Sequence, residues 1–100
     1  MVTKDEILNF LSRNKNYFQD NFHIIKIGLF GSYSRGEAHP YSDIDLIIEF
    51  DKNTSNLYDL KNELRSYVRR ELKIDVDICR EKYIKPRLKD AILKETIYVE

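Results

Sequence analysis

Two pairs of aspartates stand inside apolar runs of this chain: Asp43 and Asp45 in SDIDLII, and Asp75 and Asp77 in KIDVDIC. Both runs are β-branched and short, the pattern of a buried strand. Residues two apart on a strand share a face. Asp43 and Asp45 therefore present two carboxylates side by side, while Ile44, Leu46 and Ile48 turn toward the core. Like charges held that close repel, and partial burial makes each harder to ionise. A bridging cation relieves both costs, and oxygen-only ligands suit Mg²⁺ or Mn²⁺ rather than zinc. A third carboxylate, from Asp75 or Asp77, would complete a site for two divalent ions that clamps the attacking and leaving oxygens of an in-line phosphoryl displacement. An isolated Asp-x-Asp is also common on exposed sheet faces and at turns, so the pair alone does not decide the chemistry.

The segment ahead of Asp43 adds a second element. Gly31-Ser32 directly follows the apolar run HIIKIGLF and opens a short helical turn, where free backbone N–H groups can cradle a phosphate. Gly31 allows close approach and the Ser32 hydroxyl offers a further hydrogen bond; taken alone, Gly-Ser is equally a plain strand-ending turn. Arg35 has two open readings, a contact to phosphate or partner and an ion pair with Glu37 or a nearby aspartate. Ser42 shapes the start of the second strand, and Tyr33 packs rather than stacking on a base. Cys79 reads as a small buried hydrophobe. His23 and His39 have no neighbours at ligand spacing, which argues against zinc. Arg80, Lys82, Lys85, Arg87 and Lys89 read as a solvated basic face.

Taken together these residues form one spacing, Gly31-Ser32, ten residues, then Asp43-x-Asp45, with an acid on a later strand. The string G-S-Y-S-R-G-E-A-x-x-x-S-D-I-D-L resembles the signature of the nucleotidyltransferase superfamily that includes DNA polymerase beta and kanamycin nucleotidyltransferase. The match is to its shortest members, the minimal nucleotidyltransferase (MNT) domains, and it continues through the third strand into IKPRLKDAILKETIYV. The resemblance implies that Asp43, Asp45 and a third strand acid bind two metal ions, Mg²⁺ or else Mn²⁺, and that Gly31 and Ser32 hold the phosphates of ATP. The spacing to Lys85-Pro86 selects Asp77 as that acid, with Asp75 in reserve. Ser34 stands where the family more often has alanine. The implied reaction moves AMP, or another nucleoside monophosphate, from its triphosphate to an acceptor. Larger relatives carry an extra acceptor-binding domain, so the resemblance also implies a partner, a helical HEPN protein. In such pairs the MNT protein is the antitoxin and adenylylates a tyrosine of the HEPN toxin. The alternative is an antitoxin that neutralises its partner by contact, without catalysis.

The elements that must position these residues follow from periodicity. Thr3-x-x-Glu6 has the form of a capping box, and Ile7, Phe10, Leu11 and Phe18 continue at helical spacing, predicting one helix from 3 to about 19. Strands are expected over His23 to Phe30, Ile44 to Phe50 and Ile74 to Cys79. Leu57, Leu60, Leu64, Val68 and Leu72 mark one face of a long amphipathic helix. Pro86 opens a last helix to about Glu95, and Ile97-Tyr98-Val99 is expected as a short edge strand. The short link between the first two strands predicts antiparallel pairing; the long helix before the third allows a parallel return. The expected fold class is α+β, the nucleotidyltransferase fold: a mixed β-sheet packed against helices in a single domain spanning 1–100.

Composition sets the outer limits. Of 100 residues, 17 are basic and 17 acidic, so no global charge draws the chain to nucleic acid, which is not expected as a direct partner. The run IIKIGLF is interrupted by Lys26 and too short to span a bilayer. A single cysteine rules out an internal disulfide, and the first residues lack the apolar block of a signal peptide. The expectation is a cytoplasmic protein with no membrane contact.

Overall fold

The computed structural model describes residues 2–100. The chain runs α1 (Lys4–Arg13), α2 (Lys15–Phe22), β1 (Ile24–Phe30), α3 (Gly31–Arg35), β2 (Ile44–Phe50), α4 (Leu57–Leu72), β3 (Val76–Arg80), a single 3₁₀ turn (Glu81–Tyr83), α5 (Pro86–Glu95) and β4 (Ile97–Tyr98). The strands form one sheet in the order β3-β2-β1-β4. β1 pairs antiparallel with β2 and with β4, whereas β2 and β3 are parallel, so the sheet is mixed as expected.

Helices α1, α2 and α4 supply the apolar layer behind this sheet. Leu64 and Val68, one turn apart on α4, are fully buried beside Ile44, Leu46 and Ile48 of β2 and Ile7, Leu11 and Phe18 of the first two helices. Each such side chain contributes roughly 1.5–3 kcal/mol through removal from water. One face of β2 is thereby committed to the core. The opposite face carries Asp45.

The N-terminal helix differs from its expected form. Thr3 caps it through a hydrogen bond from the Glu6 N–H at 3.1 Å, but it stops at Arg13 and a second helix starts at Lys15. Asn14 is the cause. Its side-chain amide shares the Phe10 carbonyl with its own backbone N–H, at 2.8 and 3.1 Å, and its Oδ1 accepts the Tyr67 hydroxyl at 2.7 Å from α4. The chain turns where that residue is pinned. Two strand boundaries also shift. His23 takes a left-handed conformation (φ 58°) as the C-cap of α2, so β1 begins one residue later. Lys73 does the same for α4 (φ 60°), and β3 begins at Val76 and runs on to Arg80.

Candidate active site

The carboxylates meet because of two strand registers. In the antiparallel pair, Phe30, the last residue of β1, lies opposite Asp45. In the parallel pair, Asp45 lies opposite Asp77. Gly31 therefore stands next to one side of Asp45 and Asp77 next to the other. Asp43 sits just ahead of β2, exposed, and Asp77 is exposed on β3, while Asp45 is half-buried between them.

The electrostatics follow this arrangement. The Asp45 carboxyl is pushed up to about 6, first by burial and then by the negative charges of Asp77 and Asp43; Arg35 opposes the shift and Glu95 adds to it. Among the described residues, no three His, Cys, Asp or Glu side chains are already gathered as a metal cage. The donor set is nevertheless oxygen only, and its mutual repulsion is the condition a divalent cation relieves.

The position of Gly31 favours glycine on two counts. It is buried with φ +78°, a conformation L side chains rarely adopt, and a Cβ there would stand 2.8 Å from Cγ of Asp45. The backbone of the turn thus lies directly on the carboxylate. Ser32 is the next residue of α3, and its carbonyl accepts the Glu37 N–H at 2.9 Å, closing the turn through Gly36 in the left-handed region (φ 73°).

Asp75 lies apart from this group. It precedes β3, and its Oδ1 accepts from Nε of Arg69 at 3.0 Å. Ser42 accepts the His39 N–H at 2.9 Å and orders the loop before Asp43, in keeping with a supporting role. Tyr33 is buried in the core. Cys79 is half-buried, and burial pushes its thiol up, away from the range of a reactive thiolate. Arg35, open between two readings in the sequence, donates to Glu37 at 2.6 Å and to Glu95 at 2.7 Å.

Glu95 and Ser34 are the participants that sequence reasoning missed. The Ser34 hydroxyl donates to the Glu95 carbonyl, and the Glu95 carboxylate takes Arg35. The partners are about sixty residues apart (95 − 35), and no local pattern joins them.

Comparison with known proteins agrees with this geometry. Residues 10–99 match the family described as the nucleotidyltransferase domain. A protein of Methanocaldococcus jannaschii, named as a candidate protein adenylyltransferase, is 38% identical over 99% of this chain and 100% of its own length. The protein adenylyltransferase MntA of Thermococcus cleftensis is 34% identical over 99% of this chain and 98% of its own. Among solved structures, a candidate minimal nucleotidyltransferase superimposes with a TM-score of 0.77 at 26% identity, covering 96% of this chain and 95% of that one. A toxin–antitoxin structure with AMP-PNP superimposes with a TM-score of 0.67 at 26% identity, over 97% of this chain and 72% of that one. With the sheet register, the glycine turn and these likenesses in agreement, the chain belongs to the nucleotidyltransferase domain family, as one of its minimal nucleotidyltransferases.

Proposed function

We propose that this nucleotidyltransferase transfers AMP from ATP to a tyrosine hydroxyl of a helical HEPN partner and acts as that partner's antitoxin. The observation that carries the reading is the register that sets Asp77 opposite Asp45 with the Gly31 turn against the same carboxylate. The adenylyltransferase names of the relatives and the AMP-PNP in a toxin–antitoxin relative support AMP as the group moved.

In this account Asp43, Asp45 and Asp77 would hold two Mg²⁺ ions, with Mn²⁺ as a substitute. Bound there, the ions supply charge stabilisation for the phosphoryl oxygens. Gly31 and Ser32 grip the β and γ phosphates through backbone N–H groups and the Ser32 hydroxyl. The acceptor oxygen approaches from the Asp77 side and attacks the α phosphorus. As that O–P bond forms, the bond to the β phosphate breaks and pyrophosphate leaves on the Gly31 side. Asp77 receives the hydroxyl proton. In-line displacement needs attacking and leaving groups on opposite sides of phosphorus, and Asp77 and the glycine turn lie on opposite sides of Asp45.

The test uses ATP labelled at either the α or the γ phosphate, with the protein, Mg²⁺ and a helical HEPN protein from the same cell. The expected result is α label on a tyrosine of that HEPN protein, γ label released as pyrophosphate, and neither without Mg²⁺. Transfer of γ label, or full neutralisation of the partner with no ATP present, would overturn the reading, the latter in favour of the contact-only antitoxin.

A further inference from the structure

We propose that Glu95, the last residue of α5, is a positioning residue for the nucleotide site, holding the Gly31–Ser32 turn in place through Ser34 and Arg35. The proposal deepens the function above and rests on it for its catalytic arm. Helix α3 has only five residues and leaves β1 directly. A helix this short has too little internal hydrogen bonding to fix itself, so its position depends on what it touches. Tyr33 is sunk in the core, Lys4 Nζ donates to the Ser34 carbonyl at 3.0 Å, and two further tethers reach Glu95. Its backbone carbonyl accepts the Ser34 hydroxyl, and its carboxylate accepts Nη1 of Arg35 at 2.7 Å. A second carboxylate, Glu37, accepts Nε of Arg35 at 2.6 Å, so the guanidinium is held from two directions.

Glu95 can serve as an anchor because it is itself fixed. The Thr96 hydroxyl and N–H close the end of α5 on the carbonyls of Ile92 and Leu93, at 2.7 and 3.3 Å. The chain then continues into β4, which pairs with Gly28 and Leu29 of β1. Gly28 permits this docking, since a Cβ there would stand 2.7 Å from Cγ2 of Thr96 and 2.8 Å from Cδ1 of Tyr98. A closed circuit results: β1 leads into α3, α3 is tied to Glu95, and Glu95 leads through β4 back to β1. Release of the Glu95 link leaves α3 free to shift against Asp45, on which Gly31 rests.

The Glu95→Gln variant keeps the backbone carbonyl and removes only the charge. Because Arg35 is nearly half exposed, the melting temperature should change little. Hydrogen exchange at the Gly36 and Glu37 amides, which bond back into α3, should speed up by about five- to tenfold, with the β2 amides unchanged. In the transfer assay the KM for ATP should rise by about the same factor, while kcat and Mn²⁺ affinity without nucleotide should each hold within about twofold, the Glu95 charge being the smallest of those acting on Asp45. Unaltered exchange at Gly36 and Glu37, or a KM that stays or falls, would overturn the proposal. If the wild-type chain shows no transfer at all, the functional reading fails and the exchange measurement alone decides the role of Glu95.

Discussion

Asp45 carries more of the site than any other side chain, and its titration is directly measurable. In the folded chain its proton is held to about 6, against an ordinary value of 3.8. Between those values the folded state binds more protons than the unfolded one, so this group lowers stability as pH rises through the window. Above about 6 the cost is fully present, and below 3.8 it is absent. Asp45→Asn cannot ionise, so the metal-free variant should melt above wild type near pH 7.5 and match it near pH 3.5, as calorimetry at the two pH values would show. A variant that melts lower at neutral pH would mark Asp45 as structural. Gly31 gives the second prediction at this scale. Gly31→Ala requires a left-handed alanine and pushes a methyl group into Asp45, which should cost about 1–3 kcal/mol in denaturant unfolding and abolish ATP binding by calorimetry.

At the level of elements, the strands and α4 were legible because their burial is one-sided and their periodicity is clean. Leu57 to Leu72 was read from five apolar residues at helical spacing, and the helix has those bounds. The break at Asn14 was not legible, because it depends on the Tyr67 hydroxyl from a helix more than fifty residues away. The start of β3 was displaced for a similar reason: Lys73 takes a left-handed cap, and Asp75 meets β2 only through its carbonyl, which accepts the Ile44 N–H at 3.0 Å, while its side chain pairs with Arg69. Asn14→Ala should therefore do two things. It leaves the half-buried Tyr67 hydroxyl without its acceptor, costing about 1–2 kcal/mol in chemical denaturation, and it lets α1 continue toward α2, visible as added helical ellipticity. An unchanged midpoint would show that the Asn14 contact contributes nothing to the corner.

Over the whole molecule, the first and last helices close on the Gly31–Ser32 turn: Lys4 from α1 and Glu95 from α5 both hold α3. The motif G-S-Y-S-R-G-E-A was readable as a signature of the family, yet Ser34 passed as a mere small residue because its partner, the carbonyl of Glu95, is set by tertiary structure. Asp77 could be chosen over Asp75 from family spacing, and the geometry now supplies a separate reason for the choice. On one strand the two lie about 6.5–7 Å apart, only Asp77 faces Asp45 across the parallel pair, and Asp75 is engaged by Arg69. Mg²⁺ ligands must reach about 2.0–2.1 Å, so the two cannot serve equally. The most direct test compares Asp77→Asn and Asp75→Asn for transfer of α-labelled AMP to the partner. Asp77→Asn should remove transfer, while Asp75→Asn, losing only an exposed ion pair, should retain most of it. A dead Asp75→Asn beside an active Asp77→Asn would contradict the account.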